Sequence, residues 1–422
     1  MGVTAICGIN WGDEGKGRMV DYFAENADFV IRFQGGNNAG HTVCNNFGKF
    51  ALHLLPSGIF NKKAMNIIGN GAVVNPEALI GEIRETEKVI GKIDNLMISE
   101  RAHAVFPFHI LLDEYEEERL GANKFGSTKK GIAPVYSDKY MKTGILAGDL
   151  LNKDYLSKRI KNNLELKNQI IEKIYLKPKV DVDEMIEWGY KYGCELKEYI
   201  TDPIPVLREA VKNDKKILLE GQLGALRDID FGIYPYTTSS SPIPGYASAG
   251  SSIPPYEIKR IVGVMKSYST CVGEGPFVTE IFSEKADSIR TKGKEFGAST
   301  GRPRRIGWFD AVSSRYGCLI SGATEIAITL LDVLSGEDEL KICVKYRIGD
   351  SSTEKFPTTE KLYASKPEYI SMPGWKEDIT GIRNFYDLPK AAQNYIIKIE
   401  ELIKVKIRYI SVGPNREQLI KV

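Results

Sequence analysis

The sequence predicts an α/β fold: a large wound, mostly parallel sheet flanked by helices, with inserted helical subregions. Three observations predict it. Short apolar, β-branched runs recur along the chain, helical patterns separate them, and several runs lead directly into glycine-rich polar segments. Parallel strands need long crossovers, and a helix laid on the sheet face is the usual one.

The candidate strands are residues 3–9, 29–33, 66–68, 217–219, 261–265, 325–330, 341–347 and 407–412. They are apolar on both faces, as strands buried between helical layers are. A helical pattern follows the first strand at 18–23, and others cover 109–122 and 389–402. The polar block 153–212, rich in Lys, Glu and Ile, reads as helices over the sheet, an insertion spanning about 150–215. No repeat of about 20–50 residues and no low-complexity linker divides the chain. One large domain over 1–422 is therefore expected.

Charge and cysteines bound the function. The 422 residues carry 57 basic and 55 acidic side chains. That balance gives no electrostatic footing for a nucleic-acid or membrane partner. Cys7, Cys44, Cys194, Cys271, Cys318 and Cys343 form no CxxC pair and none lies at zinc-finger spacing from a histidine. Scattered single cysteines read as a reduced, cytoplasmic chain. The N-terminus lacks the basic and apolar regions of a signal peptide. No uncharged apolar run approaches the roughly 20 residues of a membrane span.

Four long polar segments, 35–46, 124–140, 237–254 and 292–307, are rich in Gly, Ser, Thr, Lys and Arg. Long loops inside a compact domain are usually functional or disordered, and four with anion-binding side chains predict a site closed by loops.

The first strand enters Gly8-Ile-Asn-Trp-Gly-Asp-Glu-Gly-Lys-Gly17. Strand, glycine loop and helix together cradle phosphate on backbone N–H groups. Lys16 adds a point charge. Six residues separate Gly8 from Gly15, and Gly17 stands where a Walker A motif has its magnesium-binding hydroxyl. Asp13 can serve instead as metal ligand or base. The second segment is Gln34-Gly-Gly-Asn-Asn-Ala-Gly-His-Thr42. A lone histidine is more often structural than catalytic, but loops after parallel strands are where ligands bind. Asn38 and Thr42 offer donors to a phosphate. Gly126-Ser-Thr-Lys-Lys-Gly-Ile-Ala-Pro134 reads equally as a phosphate loop or a solvated basic loop. Tyr236-Thr-Thr-Ser-Ser-Ser241 is a hydroxyl cluster of weak signal. Gly297-Ala-Ser-Thr-Gly-Arg-Pro-Arg-Arg305 presents arginine forks suited to carboxylate or phosphate. Asp332 at a strand end can accept two donors of a guanine edge, or simply cap a turn.

Together these segments, with Met372-Pro-Gly-Trp375 and Ser411-Val-Gly-Pro414, resemble the adenylosuccinate synthetase family along essentially the whole chain. The resemblance implies a fold related to P-loop GTP-binding proteins, and a homodimer that makes adenylosuccinate from IMP, L-aspartate and GTP with one Mg2+ per subunit. It implies Asp13, His41 and Lys16 as catalytic residues, and Asp13 with the Gly40 carbonyl as metal ligands. IMP would meet Asn38, Thr128, Gln222, Thr238 and Arg302, with Lys142 reaching from the partner subunit. Aspartate would meet Ser299, Thr300, Arg302 and Arg304. GTP would meet Gly12, Gly15, Lys16, Gly17, Gly40, His41, Thr42, Arg304, Asp332, Ser411 and Gly413.

The chain also departs from the family pattern. Leu223 replaces an amide beside Gln222, and Lys129 and Ala133 replace glycines. Lys142 replaces an arginine, Leu330 a lysine, and Asn37 a frequent histidine. These changes fall at the purine base, the 5′-phosphate and the guanine. They leave two alternatives: the same chemistry on another 6-oxopurine nucleotide such as GMP or dGMP or with another amine, and a GTP-binding regulatory protein without ligase activity.

Overall fold

The structure, a computed structural model, describes residues 2–45, 47–297 and 301–422. Ten strands build its central sheet: β1 (Val3–Gly8), β2 (Phe29–Arg32), β3 (Met65–Ile68), β4 (Leu96–Ser99), β5 (Ile200–Thr201), β6 (Ile217–Gly224), β7 (Ile258–Lys266), β8 (Glu325–Thr329), β9 (Ile407–Ser411) and β10 (Leu419–Lys421). Their order is β10-β9-β8-β7-β1-β6-β2-β3-β4-β5. Every neighbouring pair is parallel except β9 with β10. β1 is buried along its whole length.

The two-residue period of a strand explains both faces. Ala5, Ile31 and Leu219 face one apolar cluster with Phe33, Ile67 and Leu207. Their sequence neighbours Ile6, Val30 and Leu218 face the other, with Met19, Val20 and Ala24. Those three belong to α1 (Lys16–Ala24), the helix that follows the first glycine loop. Each such Val, Ile, Leu, Phe or Met side chain, fully buried, contributes about 1.5–3 kcal/mol. The first loop is thus held between a buried strand and a buried helix face.

The expected wound parallel sheet is present, with one strand in a different place. Residues 341–347 lie in Glu339–Ile348, outside the central sheet. That strand pairs antiparallel with Ser351–Thr353 and Lys366–Pro373, and parallel with Phe309–Asp310. Its C-terminal half mixes buried and exposed positions, unlike the continuously buried β1. The block 153–212 resolves into helices Lys153–Lys173, Val182–Glu195 and Ile204–Lys212, with edge strand β5 before the last. The polar segments are more ordered than loops: 35–46 contains strand His41–Asn45, paired with Gly48–Leu52. Segments 124–140 and 237–254 contain helical residues of Ile132–Met141 and Pro244–Ser251. No helix among the described residues is long and apolar enough to cross a membrane.

Candidate active site

Parallel strands aim their carboxyl ends the same way, so the loops they feed gather at one edge of the sheet. Here β1, β2, β8 and β9 feed segments singled out above, and β6 carries Gln222 at its end.

Left-handed backbone shapes the first loop, with Gly12 at φ +105°, Asp13 at +60° and Gly15 at +88°. Glycine adopts such angles without a Cβ clash. The Glu14 carboxylate folds back inside. Oε1 accepts from the N–H of Asn10 at 3.1 Å and of Gly12 at 2.9 Å, and Oε2 pairs with Lys16 Nζ at 2.6 Å. Lys16 is only 4% exposed. From the end of β8, Thr329 Oγ1 donates to the Glu14 carbonyl at 2.7 Å. Asp13 points outward, 34% exposed, with Oδ2 3.0 Å from Arg304 Nε.

His41 opens the hairpin beside α1. A Cβ on Gly17 would stand 3.1 Å from both His41 Cβ and the Thr42 carbonyl oxygen, so the missing side chain permits the approach. His41 Nδ1 lies 2.5 Å from Glu220 Oε1, while its buried Nε2 has no partner. Glu220, on β6, also accepts from Ser57 N–H at 2.8 Å and Ser57 Oγ at 2.6 Å. Burial lowers the His41 pKa against the pull of Glu220. Burial opposes the Glu220 charge, but His41, Arg32 and Ser57 outweigh it and hold that carboxyl below its ordinary range. The pair is therefore a neutral imidazole donating Nδ1–H to a carboxylate, with an open nitrogen on its other side.

A chain of amides ties three loops together. Ser240 Oγ donates to Gln34 Oε1 at 2.9 Å, and Gln34 Nε2 donates to the Gln222 carbonyl at 2.7 Å. Gln222 Nε2 reaches the Gly36 carbonyl at 3.0 Å, the Ala39 carbonyl at 3.2 Å and Asn38 Oδ1 at 3.3 Å. Its Oε1 is buried without a partner. Gln222 thus points beneath the second segment, and the following Leu223 takes φ +61°. Thr238 joins this group through Ser240 at 3.4 Å, Gly40 lies half-buried, and Thr42 is exposed on its strand.

The third loop hangs from helix Pro107–Leu120. Asp113 accepts from Ser127 Oγ at 2.7 Å and Gly131 N–H at 2.9 Å, and Glu117 accepts from the N–H groups of Phe125, Gly126 and Ser127. Ser127 is committed, and Thr128 beside it is exposed. Lys142 is exposed at the end of helix Ile132–Met141. Thr128 and Lys142 are not drawn into the bonded cluster. Lys129, Lys142, Leu223 and Leu330, all departures from the family pattern, share left-handed φ between +53° and +65°. Such a conformation costs a side-chain-bearing residue about 1–2 kcal/mol.

Ser299 and Thr300 lie outside the described residues. The described neck of their loop closes through Gly297 N–H to the Arg302 carbonyl at 2.8 Å and Arg304 N–H to the Glu295 carbonyl at 2.9 Å. Arg304 Nη1 meets Glu295 Oε2 at 2.5 Å. Glu295 is buried with Lys266 Nζ at 2.7 Å and Tyr268 Oη at 2.6 Å. Arg305 is occupied elsewhere: it forks onto Glu280, and its guanidinium lies over the Phe277 ring, 5.5 Å from the centroid. At the far end, Asp332 Oδ1 is buried without a partner, and burial raises its pKa. Ser411 Oγ donates to the Gly413 carbonyl at 3.1 Å.

Sequence reasoning missed Glu14, Glu220, Lys266 and Glu295. Glu14 sat within the first glycine loop, and Glu220 and Lys266 each directly follow a predicted strand, so a signal was present for all three. Glu295 carried no local signal, because only the fold brings Lys266 to it.

A phosphate-shaped loop, an ionised acid behind an imidazole and an arginine that meets a carboxylate suit one class of protein: a nucleotide-dependent ligase, which must move a phosphoryl group and hold an anionic acceptor. Residues 5–420 match the family model for adenylosuccinate synthetase. An adenylosuccinate synthetase of Streptococcus gordonii is 45% identical over 416 residues, covering 98% of this chain and 97% of its own. The structure of a fully ligated adenylosuccinate synthetase from Plasmodium falciparum superposes with TM-score 0.94 at 38% identity, covering all of both chains. A cyanophage S-2L succinoaminodeoxyadenylate synthetase, bound to dGMP and dATP, shares only the fold, at TM-score 0.59 and 16% identity. The chain belongs to the adenylosuccinate synthetase family, GTP-dependent ligases that form a C–N bond between aspartate and IMP. Nothing in these likenesses favours GMP, dGMP or a regulatory protein over that activity.

Proposed function

We propose that the ligation runs through a 6-phosphoryl intermediate on IMP, with Asp13 as base and His41 as the group that meets the transferring phosphoryl. The observation that carries this reading is the buried, unpartnered Nε2 of His41 backed by Glu220. The purine N1 proton passes to Asp13, and O6 attacks the γ-phosphorus of GTP as its bond to the bridging oxygen breaks and GDP leaves. Negative charge arriving beside His41 favours uptake of a proton from solvent at Nε2, given back once phosphate has left. Nε2–H then donates to the phosphoryl oxygens while Nδ1–H stays on Glu220. The aspartate amine attacks C6, phosphate departs with O6, and the amine proton is released.

Lys16, Gly12, Gly15, Gly17, Gly40 and Thr42 would cradle the GTP phosphates, with Arg304 bridging toward aspartate. Asn38, Thr128 and Thr238 would hold the IMP phosphate, and the unpaired Gln222 Oε1 supports a contact to its base. Ser299, Thr300, Arg302 and Arg304 would hold the aspartate carboxylates. Asp332, Ser411 and Gly413 would read the guanine. Asp13 and the Gly40 carbonyl suit magnesium, since both are hard oxygens and the ion commonly completes its shell with water and substrate phosphate. Among the described residues no group of three His, Cys, Asp or Glu stands ready to hold a metal alone, in keeping with a site finished by substrate. When bound, magnesium neutralises phosphate charge. Arg304 must leave Asp13 for this. The chain would work as one domain, in the cytoplasm and as a homodimer, with Lys142 entering the neighbouring subunit's nucleotide site.

The test is phosphate release with GTP or ATP over IMP, GMP and their deoxy forms, each with aspartate and other amino acids. Turnover should require IMP, aspartate and GTP. Preferred use of GMP or dGMP would overturn the nucleotide assignment, and no release from any pair would leave only nucleotide binding.

A further inference from the structure

The segment that would read the guanine is sewn to the helix that begins at the phosphate loop. Arg18 lies in the first turn of α1, two residues after Lys16. Its Nη1 bonds Ser411 Oγ, and its Nη2 donates to the carbonyls of Asn415 at 2.6 Å and Gln418 at 3.0 Å. A second arginine runs the other way. Arg416 Nη2 donates to the Asp21 carbonyl at 2.6 Å, with its Nε 3.4 Å from Asp21 Oδ2 and its Nη1 3.6 Å from Glu25 Oε1. The turn between β9 and β10 is therefore fastened to α1 at both ends. Gln418 braces it inside, accepting Asn415 N–H at 2.9 Å and donating to the Thr380 carbonyl at 3.1 Å. Gly413 leaves room for this brace, since a Cβ there would stand 2.4 Å from Gln418 Oε1.

We propose that Arg18 is a positioning residue for the base of the nucleoside triphosphate: by fastening the 411–418 turn to α1 it sets the preference for a purine bearing a 2-amino group. This rests on the reading of Asp332 as the base acceptor. A carboxylate takes two donors side by side, the N1–H and 2-amino group of guanine, only while ionised. Burial opposes that state at Asp332; its own backbone N–H works against the burial, Arg18 is the cation that adds to this, and Asp378 sides with the burial. Leu330 brings no charge to this end of the site. Because Arg18 and Lys16 share the first turn of α1, base and phosphates are located by one rigid element.

The experiment is steady-state kinetics of the full-length enzyme with GTP and with ITP, which lacks the 2-amino group, for wild type, Arg18→Met, Arg18→Lys and Asp332→Asn. Losing charge-assisted bonds predicts that Arg18→Met raises KM for GTP about tenfold or more. KM for GTP should rise by a larger factor than kcat falls, the GTP-over-ITP preference should shrink, and KM for IMP and aspartate should hold. Arg18→Lys keeps the charge, loses the fork, and should shift both readouts less in the same direction. It carries the test if Arg18→Met fails to fold. If Asp332→Asn loses the preference while the Arg18 variants keep it, the role of Arg18 is overturned and the base reading stands. A preference that survives Asp332→Asn, or is missing in wild type, overturns the base reading and this inference with it.

Discussion

Two buried histidine–carboxylate pairs, His41–Glu220 and His109–Asp138, look alike until their second ring nitrogens are compared. His109 Nε2 lies 3.0 Å from Asp138 Oδ2, and its Nδ1 accepts from the Phe106 N–H at 2.9 Å. Asp138 also holds Lys167 Nζ at 2.5 Å and Asn163 Nδ2 at 2.7 Å. Every valence of the His109 ring is met, and it pins helix Pro107–Leu120 to Ile132–Met141. His41 has one nitrogen satisfied and one left open at the loops. Burial lowers both imidazoles, so burial and a shifted pKa do not separate them. The unmet hydrogen bond and its place do: His41 Nε2 is buried without a partner among the glycine-rich loops, at a cost in stability, whereas the His109 ring is fully bonded between two helices.

The largest expected effect is at the open nitrogen. His41→Asn should cut kcat by about 10²–10⁴-fold, the usual worth of a placed proton donor, with melting temperature little changed. His109→Ala should do the reverse. It leaves the Phe106 N–H unpaired and opens a cavity, so denaturant melts should show a loss of about 2–4 kcal/mol with kcat per folded molecule retained. A His109 variant that melted normally but turned over poorly would break the contrast. Glu220→Gln keeps an acceptor near Nδ1 and removes the charge, so kcat should fall about ten- to a hundredfold, less than on loss of the ring itself.

The smallest effect is on stability against pH. Burial holds His103 at about 4, down from 6.5, with Lys139 adding to the shift. The folded chain keeps this ring neutral while the unfolded chain protonates it below 6.5. Stability is therefore complete above 6.5 and declines as pH falls toward 4. The other histidines, His41, His53 and His109, shift in the same direction. Thermal melts should fall across that window, and His103→Gln should flatten the slope without abolishing it. Asp138, held at about 2 against 3.8 by His109 and Lys167 over its burial cost, contributes above 3.8 and loses that contribution toward 2.

What was legible in the sequence follows locality. Buried parallel strands announce themselves as unbroken apolar runs, so β1, β2 and β7 were readable. Edge strands such as the two-residue β5 carry too few side chains to form a pattern. The first loop was readable because its glycines, acid and lysine are contiguous. Its internal ion pair was not, since Glu14 and Lys16 could equally have faced a ligand. The Glu295–Lys266–Arg304 cluster joins residues up to 38 positions apart, and no spacing rule reaches across a fold. The segment 35–46 read as a loop because its glycines hid the hairpin that begins at His41.

The chain of amides from Ser240 through Gln34 to Gln222 has a consequence for the order of events. It runs beneath segments that would grip different ligands, so a shift that one occupant imposes on its segment is passed to the next through these bonds. Such coupling is reciprocal by thermodynamic necessity: whatever factor the nucleotide acceptor gains in affinity from the nucleoside triphosphate, the triphosphate gains from the acceptor. The two substrates would then recruit one another through the protein, in addition to meeting at the reacting atoms.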